Sequence, residues 1–376
     1  MKYSIQYSIS FLFAAFLLFF LSTFHSEAVV HYVTSVNDDG YGSLREVVAE
    51  ADDGDEIEFS VTHIFLLSPI EIDKNLTISG FSPTNKVPII GSTQKFVING
   101  SYAITLKNMI FEGGNVSNNG SAIWLSGGSL SLNNCIIANN ITTGTGRGAV
   151  YINDGSLTAI YCEFSENTAA GGAAVFMQNS IFNATECFFY DNTNVLASSI
   201  TGGGVHLRGS SFTANYCQFV NNSGRIGSGV VVDISSIFNA NHCQFLGNTT
   251  PLPTGHNGGA VAVYNNSTFN VYNCIFKHNE SHQGAAIFVT NSSNLNVNFC
   301  TFDSNHSIFG AIRIAHYSTA NLNNSQFHYN SSDGTNNAGA VLSMNTHGSV
   351  TATNCSFTSN HMTGLTGFGD GGVASI

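Results

Sequence analysis

All eight cysteines of the chain open one repeated phrase, Cys-x-apolar-x-x-Asn. It starts at Cys135, Cys162, Cys187, Cys217, Cys243, Cys274, Cys300 and Cys355, and a ninth copy carries Ser325 in the cysteine slot. Successive copies begin 27, 25, 30, 26, 31, 26, 25 and 30 residues apart. A period of that length means stacked supersecondary units that bury their apolar sides against one another, not one closed globular core.

Each unit has a readable interior. Five residues before the slot stands a large apolar residue (Leu130, Leu157, Phe182, Phe212, Phe238, Phe269, Leu295, Val350), with Ala320 the small exception. Three before it stands another, often Ala, as at Ala159, Ala184, Ala214 and Ala240. With polar residues between, this predicts a short period-2 strand with one buried face. The cysteine and the apolar residue two further on, such as Phe164 or Phe219, predict a second inward-facing strand. Asn167, Asn222 and their equivalents then mark a corner, since Asn tolerates left-handed backbone angles and caps its own turn. Small residues before a β-branched one, as in Gly259-Ala260-Val261, start a third strand. Three strands per turn stacked in parallel about 4.8 Å apart make a prism. The predicted fold is all-β, a single right-handed parallel β-helix, its hand taken from the rule for parallel crossovers.

Three regions follow. Residues 1–28 read as a secretory signal, with Lys2, an uncharged apolar run at 11–21, and Ser26-Glu27-Ala28 at the cleavage position. Residues 29–108 form an N-terminal cap and first rungs, and residues 109–376 the repeats of 25–31 residues, with no C-terminal cap expected after the rung that starts at Gly371. In the cap, Ser43 and Glu46 make a capping box. Leu44, Val47, Val48 and Ala51 fall on one face of a short helix that Gly54 is expected to end. Such a helix covers the open end of the stack and blocks edge-to-edge association. After the signal, no segment suits a transmembrane helix.

Formal net charge is −12 and charged residues are only 9% of the chain, so no basic stripe exists to meet phosphates and nucleic acid is excluded as a partner. Secretion with an even cysteine count ordinarily signals disulfides. Here Cys135 to Cys300 occupy seven consecutive rungs, an odd number, and Ser325 separates them from Cys355. The stack therefore reads as reduced, buried thiols acting as small apolar filler. N-glycosylation sequons, among them Asn75, Asn99, Asn115, Asn119, Asn183, Asn248, Asn266, Asn291 and Asn330, point to a glycoprotein if the host modifies them.

Candidate sites are few. Glu166 and Asp191 each lie four residues after their cysteine on neighbouring rungs, which stacks two carboxylates about 5 Å apart as a binding pair or cation site. Rung length varies after the Asn corner, and the loops at 193–203 and 249–258 form a candidate recognition edge. Asp52, Asp53 and Asp55 could hold calcium or belong to a solvated turn. His278, His282, His306 and His328 share a corner but sit at offsets +4, +8, +6 and +3 from the slot, which does not converge them on zinc. No residue is assigned a catalytic or resident-metal role, and no cofactor beyond calcium is considered.

The phrases Phe-x-x-Asn, as at Phe219 and Asn222, and Gly-Gly-Ala-Val at 258–261 resemble the paired repeats of chlamydial polymorphic outer membrane proteins. The acidic stretch at 37–59 resembles the segment that opens many secreted bacterial β-helix proteins. The resemblance implies surface-exposed adhesins exported as autotransporters, although no barrel translocator is expected after the repeats. The expectation is a secreted or cell-surface protein, non-enzymatic, with an adhesin-like binding or scaffold role toward a surface glycan or protein. The alternative is a polysaccharide lyase or glycoside hydrolase of the pectin-degrading type, with Glu166 and Asp191 as its carboxylates.

Overall fold

A computed structural model describes residues 28–195, 202–250, 257–334, 338–362 and 373–375. The signal segment, the middle of both variable loops, and Gly371 with Gly372 lie outside the described residues. The chain winds as a right-handed parallel β-helix with three long faces. Face 1 has thirteen strands, from Val30–Val33 to Ser349–Thr353; faces 2 and 3 have twelve each. Like positions stack in register, so Phe182 pairs with Phe212 and Phe212 with Phe238 on face 1. The three-strand rung needs one addition. Short strands after the Asn corner, such as Thr168–Ala169 and Glu280–Gln283, build two further four-stranded sheets.

Alternation along each strand fills the prism. On face 1, Phe182, Phe212, Phe238 and Phe269 are fully buried and their rings stack at 4.5 to 4.8 Å. Face 2 stacks Phe164, Phe189, Phe219, Phe245 and Phe276 the same way at 4.6 to 4.8 Å. The two stacks meet edge to face at 6.2 to 6.5 Å, the arrangement that aromatic quadrupoles favour. Face 3 departs from simple alternation. Val175–Gln178 and Val230–Asp233 bury residues on both sides, and Ile226, Val231, Ala262, Tyr264 and Phe288 form a second small core outside the prism.

Most corners of the described cysteine rungs follow one pattern, and it corrects the reading of the asparagine. A residue with left-handed backbone turns the chain, and the next residue points inward and joins a ladder. At the second corner the left-handed residues are Glu166 (φ 54°), Asp191 (φ 54°) and Asn221 (φ 51°), one position before the asparagine. Asn167, Asn192, Asn222, Asn248, Asn279, Asn305 and Asn330 are themselves buried. Asn222 Oδ1 accepts both the backbone N–H (3.1 Å) and the side-chain amide (2.9 Å) of Asn192, while its own Nδ2 donates to the Phe189 carbonyl (2.8 Å) and to Asn248 Oδ1 (3.0 Å).

The cysteine slot is the same device with sulfur. Cys162 Sγ accepts the Cys135 N–H at 3.4 Å and donates to the Leu132 carbonyl at 3.3 Å. Ser325 fits the slot because its hydroxyl accepts the Cys300 N–H at 3.1 Å. The third corner carries a further ladder, of serines: Ser180, Ser210, Ser236, Ser267, Ser293 and Ser318. Ser180 Oγ accepts the Gly155 N–H, and each later hydroxyl accepts the N–H of the serine before it, as Ser236 does from Ser210 at 3.0 Å. These serines stand seven residues before the cysteine slot.

All eight cysteines are free, and all but Cys355 are buried. Burial holds the Cys162 thiol above its ordinary range, against thiolate formation. In the native protein a thiol reagent is expected to label Cys355 alone, with the other seven labelling after denaturant; mass spectrometry of the labelled peptides checks this, and rapid native labelling of Cys217 or Cys243 would contradict it. Sequons Asn248 and Asn330 are ladder members with no exposure, so a glycan on either conflicts with the fold; Asn99, Asn115, Asn183, Asn266 and Asn291 are exposed.

At the N-terminal end the helix spans Leu44–Glu50 and buries Leu44, Val47 and Val48. It stops at C-cap Ala51, three residues before Gly54, because Ala51 is already extended (ψ 144°). Ser43 Oγ accepts the Glu46 N–H as a capping box requires, but the Glu46 carboxylate reaches back to the Gly42 N–H (2.6 Å) instead of that of Ser43. Among the described residues no helix is long and apolar enough to cross a membrane.

Candidate functional site

Face 2 is narrow. Its strands are three residues long, such as Glu163–Ser165, Phe188–Tyr190 and Gln218–Val220, and each lies between two left-handed corners. On three successive rungs the outward positions run Tyr161, Glu163, Ser165, Glu166; then Glu186, Phe188, Tyr190, Asp191; then Tyr216, Gln218, Val220, Asn221. Register places Glu163 beside Phe188 and Phe188 beside Gln218.

The first corner holds the aromatic wall. Asn108, Asn134, Asn273, Asn324 and Asn354 occupy this left-handed column elsewhere, as expected for the side chain that adopts it most cheaply after glycine. In the middle rungs the column instead carries Tyr161 (φ 55°), Glu186 (φ 51°), Tyr216 (φ 56°) and His242 (φ 55°), and further along Phe299 (φ 55°). A bulky residue held there costs about 1–2 kcal/mol of backbone energy. Yet the rings are not buried in compensation: Tyr161 is 55% exposed, Tyr216 58% and Phe188, between them, 46%. Exposed aromatic residues at left-handed corners recur at Phe299, Tyr317 and Tyr329; here two of them flank the exposed ring of Phe188. Tyr161, Glu186, Phe188, Tyr216 and Gln218 line a cleft of about 490 Å³. His242 stacks on Tyr216 at 4.8 Å, and Tyr272 and Phe299 extend the strip.

The second corner holds Glu166 and Asp191, both exposed and on adjacent rungs as the spacing predicts. They are not an isolated pair. With Glu163 and Glu186 they form four carboxylates on two rungs of one face. Glu163 accepts from Tyr190 Oη (2.7 Å) and Ser165 Oγ (2.9 Å). The Glu163 carboxylate beside it raises the Tyr190 phenol above its ordinary range. Strand reasoning followed the inward positions and so passed over Glu163, Glu186 and the tyrosines. The signal was the replacement of Asn by aromatic and acidic residues immediately before the cysteine slot.

The other candidates disperse. Asp55 accepts from the Val29 N–H (2.8 Å), His31 Nε2 (2.7 Å) and the Asp52 N–H (2.9 Å), and these hydrogen bonds, Val29's foremost, hold its carboxyl below the usual range. Asp53 binds Asn75 instead, at 2.8 Å to its backbone N–H. His306 pairs with Ser331 and Asp333, His328 with Gln326 and Thr358, and His282 packs against Phe309. Among the described residues no three His, Cys, Asp or Glu side chains gather as a metal site.

A family model described as a right-handed beta helix region matches residues 81–276. Two solved structures are similar in fold. One is described as Geobacillus virus E2 ORF18, at 13% identity and a TM-score of 0.46, covering 80% of this chain and 57% of that one. The other is a crystal structure of pectate lyase Pel9A, at 13% identity and a TM-score of 0.43, covering 88% of this chain and 79% of that one. The chain thus spans little more than half the length of the viral protein. A search of curated proteins gave no match.

Proposed function

We propose that this chain, which belongs to the right-handed β-helix family, is a secreted or surface-displayed protein that binds a glycan on face 2, at the cleft between Tyr161 and Tyr216. The observation that carries this reading is the exposed aromatic wall at strained corner positions, set beside four carboxylates. Exposed rings offer apolar faces to the C–H side of a sugar, while Glu186 and Gln218 offer groups for its hydroxyls. Tyr161 and Tyr216 stand two rungs apart, about 9.6 Å at the parallel-stack spacing, which leaves room for a sugar ring between them.

Charge selects the sugar. Glu163, Glu166, Glu186 and Asp191 repel a polyuronate and attract an aminosugar, so a cationic glycan is favoured, a neutral one next and an acidic one least. Adhesin-like recognition accords with this better than cleavage of pectin-type chains. The extracellular location rests on the leading Lys2 and apolar segment.

Binding of chitosan, cellulose and polygalacturonate oligosaccharides to the immobilised protein tests the reading. Chitosan oligosaccharides are expected to bind most tightly. Tyr216→Asn is expected to weaken them about tenfold or more, as loss of an aromatic anchor does. Its thermal stability is expected not to fall, because asparagine relieves the left-handed strain. Tightest binding of polygalacturonate, or new chain ends that vanish in Glu166→Gln or Asp191→Asn, would replace the binding reading with the lyase or hydrolase one.

A further inference from the structure

A second cleft, also about 490 Å³, opens on the outside of face 3 near the N-terminal end. Its lining is Gln94, Val97, Ser117, Asn118, Asn119, Trp124, Thr145 and Gly146. Trp124 projects outward from Ile123–Ser126, in register with Val97 on the rung before and Tyr151 on the rung after. The indole is partly exposed, as is Tyr151. The polar wall comes from Gln94 and from the turns at 117–119 and 145–146 on successive rungs, and hydrogen bonds hold it in place. Gln94 Nε2 donates to the carbonyls of Asn119 (3.0 Å) and Gly120 (2.6 Å), and Asn119 Oδ1 accepts the Arg147 N–H (3.0 Å).

The chemistry differs from that of face 2. No Asp, Glu, Lys or Arg lines this cleft. Arg147, next in sequence to the lining residue Gly146, lies over the Phe176 ring at 4.6 Å. What remains is one flat indole surrounded by amides and hydroxyls, which can stack on one face of a pyranose and exchange hydrogen bonds with its edge. An apolar ligand would leave those amides without partners, and an ionic one would find no counter-charge. We infer that the Trp124 cleft is a second carbohydrate subsite, one that takes a neutral oligosaccharide lying along the rod axis from Trp124 toward Tyr151. Its observations are independent of the face 2 reading.

Trp124 is the only tryptophan in the chain, so its emission reports on this cleft and not on the tyrosine edge. The full chain would be titrated with cellohexaose, mannohexaose and laminarihexaose while tryptophan fluorescence is followed. A saturable change with at least one of them is expected. It should persist in Tyr216→Asn, which leaves the cleft intact, and disappear in Thr145→Phe, which fills it from an exposed position, with circular dichroism unchanged in both. No saturable change with any of the three, or a change that survives Thr145→Phe, overturns the inference. Binding detected on the immobilised protein without any change in emission also overturns it, and leaves the face 2 reading standing.

Discussion

Asn222→Ala is expected to destabilise the rod by about 4 kcal/mol or more, a value reached only when several buried polar groups lose partners together. The substitution strands the Asn192 N–H, one Asn192 amide hydrogen, the Phe189 carbonyl and one acceptor site on Asn248. Each such group, fully buried, costs about 1–3 kcal/mol when left unpaired. The adjacent Asn221→Ala is the control. Asn221 is exposed and left-handed (φ 51°), so alanine there costs about 1 kcal/mol of backbone preference only. Denaturant midpoints of the two variants decide the matter. If Asn221→Ala proved the more damaging, the asparagine of the repeat would be a turn residue after all and the ladder a minor contributor.

Acid is expected to weaken the fold through His206. This side chain lies outside the prism on face 3, buried, with its ring edge-on to Phe176 at 5.0 Å and neither ring nitrogen hydrogen-bonded. Burial first, then the charges of Arg147 and Arg208, press its pKa down to about 3. The imidazole is therefore neutral in the folded chain, whereas the unfolded chain takes up a proton below its ordinary value of 6.5. Between those two values the unfolded state binds more protons, so stability rises with pH and falls on acidification. At about 1.36 kcal/mol per pKa unit, roughly 3 kcal/mol is lost between pH 7.5 and pH 4. His206→Phe replaces the ring with one that matches Phe176 and cannot titrate. Its unfolding free energy should fall less than that of the wild type over the same pH range, by about that amount. An equal fall in both proteins would mean that His206 does not carry the acid response.

Much of the fold was legible because the repeat fixes register. One cysteine per rung at nearly constant spacing identifies equivalent positions, and equivalence is all that a parallel stack needs. Inward positions could be read from alternation because burial on one side of a strand leaves a period-2 trace. The corners were harder. Asn is the residue expected at left-handed angles, which points to Asn167, Asn192 and Asn222; the left-handed residues are their preceding neighbours Glu166, Asp191 and Asn221. No propensity identifies an asparagine whose value lies in hydrogen bonds to the rungs on either side. The serine ladder escaped notice for the same reason, since serine is common in this chain and its regular place seven residues before the slot shows only once the corners are known. On face 2, Glu166 and Asp191 were visible from their matched offsets. The aromatic wall was not, because tyrosine on the outside of a strand looks ordinary until its backbone angle shows that asparagine would sit there more comfortably.

The ladders run in one direction. A side chain on each rung completes a backbone donor on the rung before it, as Asn222 does for Asn192, Ser236 for Ser210 and Cys162 for Cys135. Where the ladders run, a rod cut between two rungs exposes open backbone donors on its C-terminal side. Only the next stretch of the same chain, arriving in step, supplies matching acceptors. A wound segment, wherever it nucleates, thus presents donors toward the rung that follows it and acceptors toward the rung that precedes it, so the rod is polar and its two ends are not interchangeable.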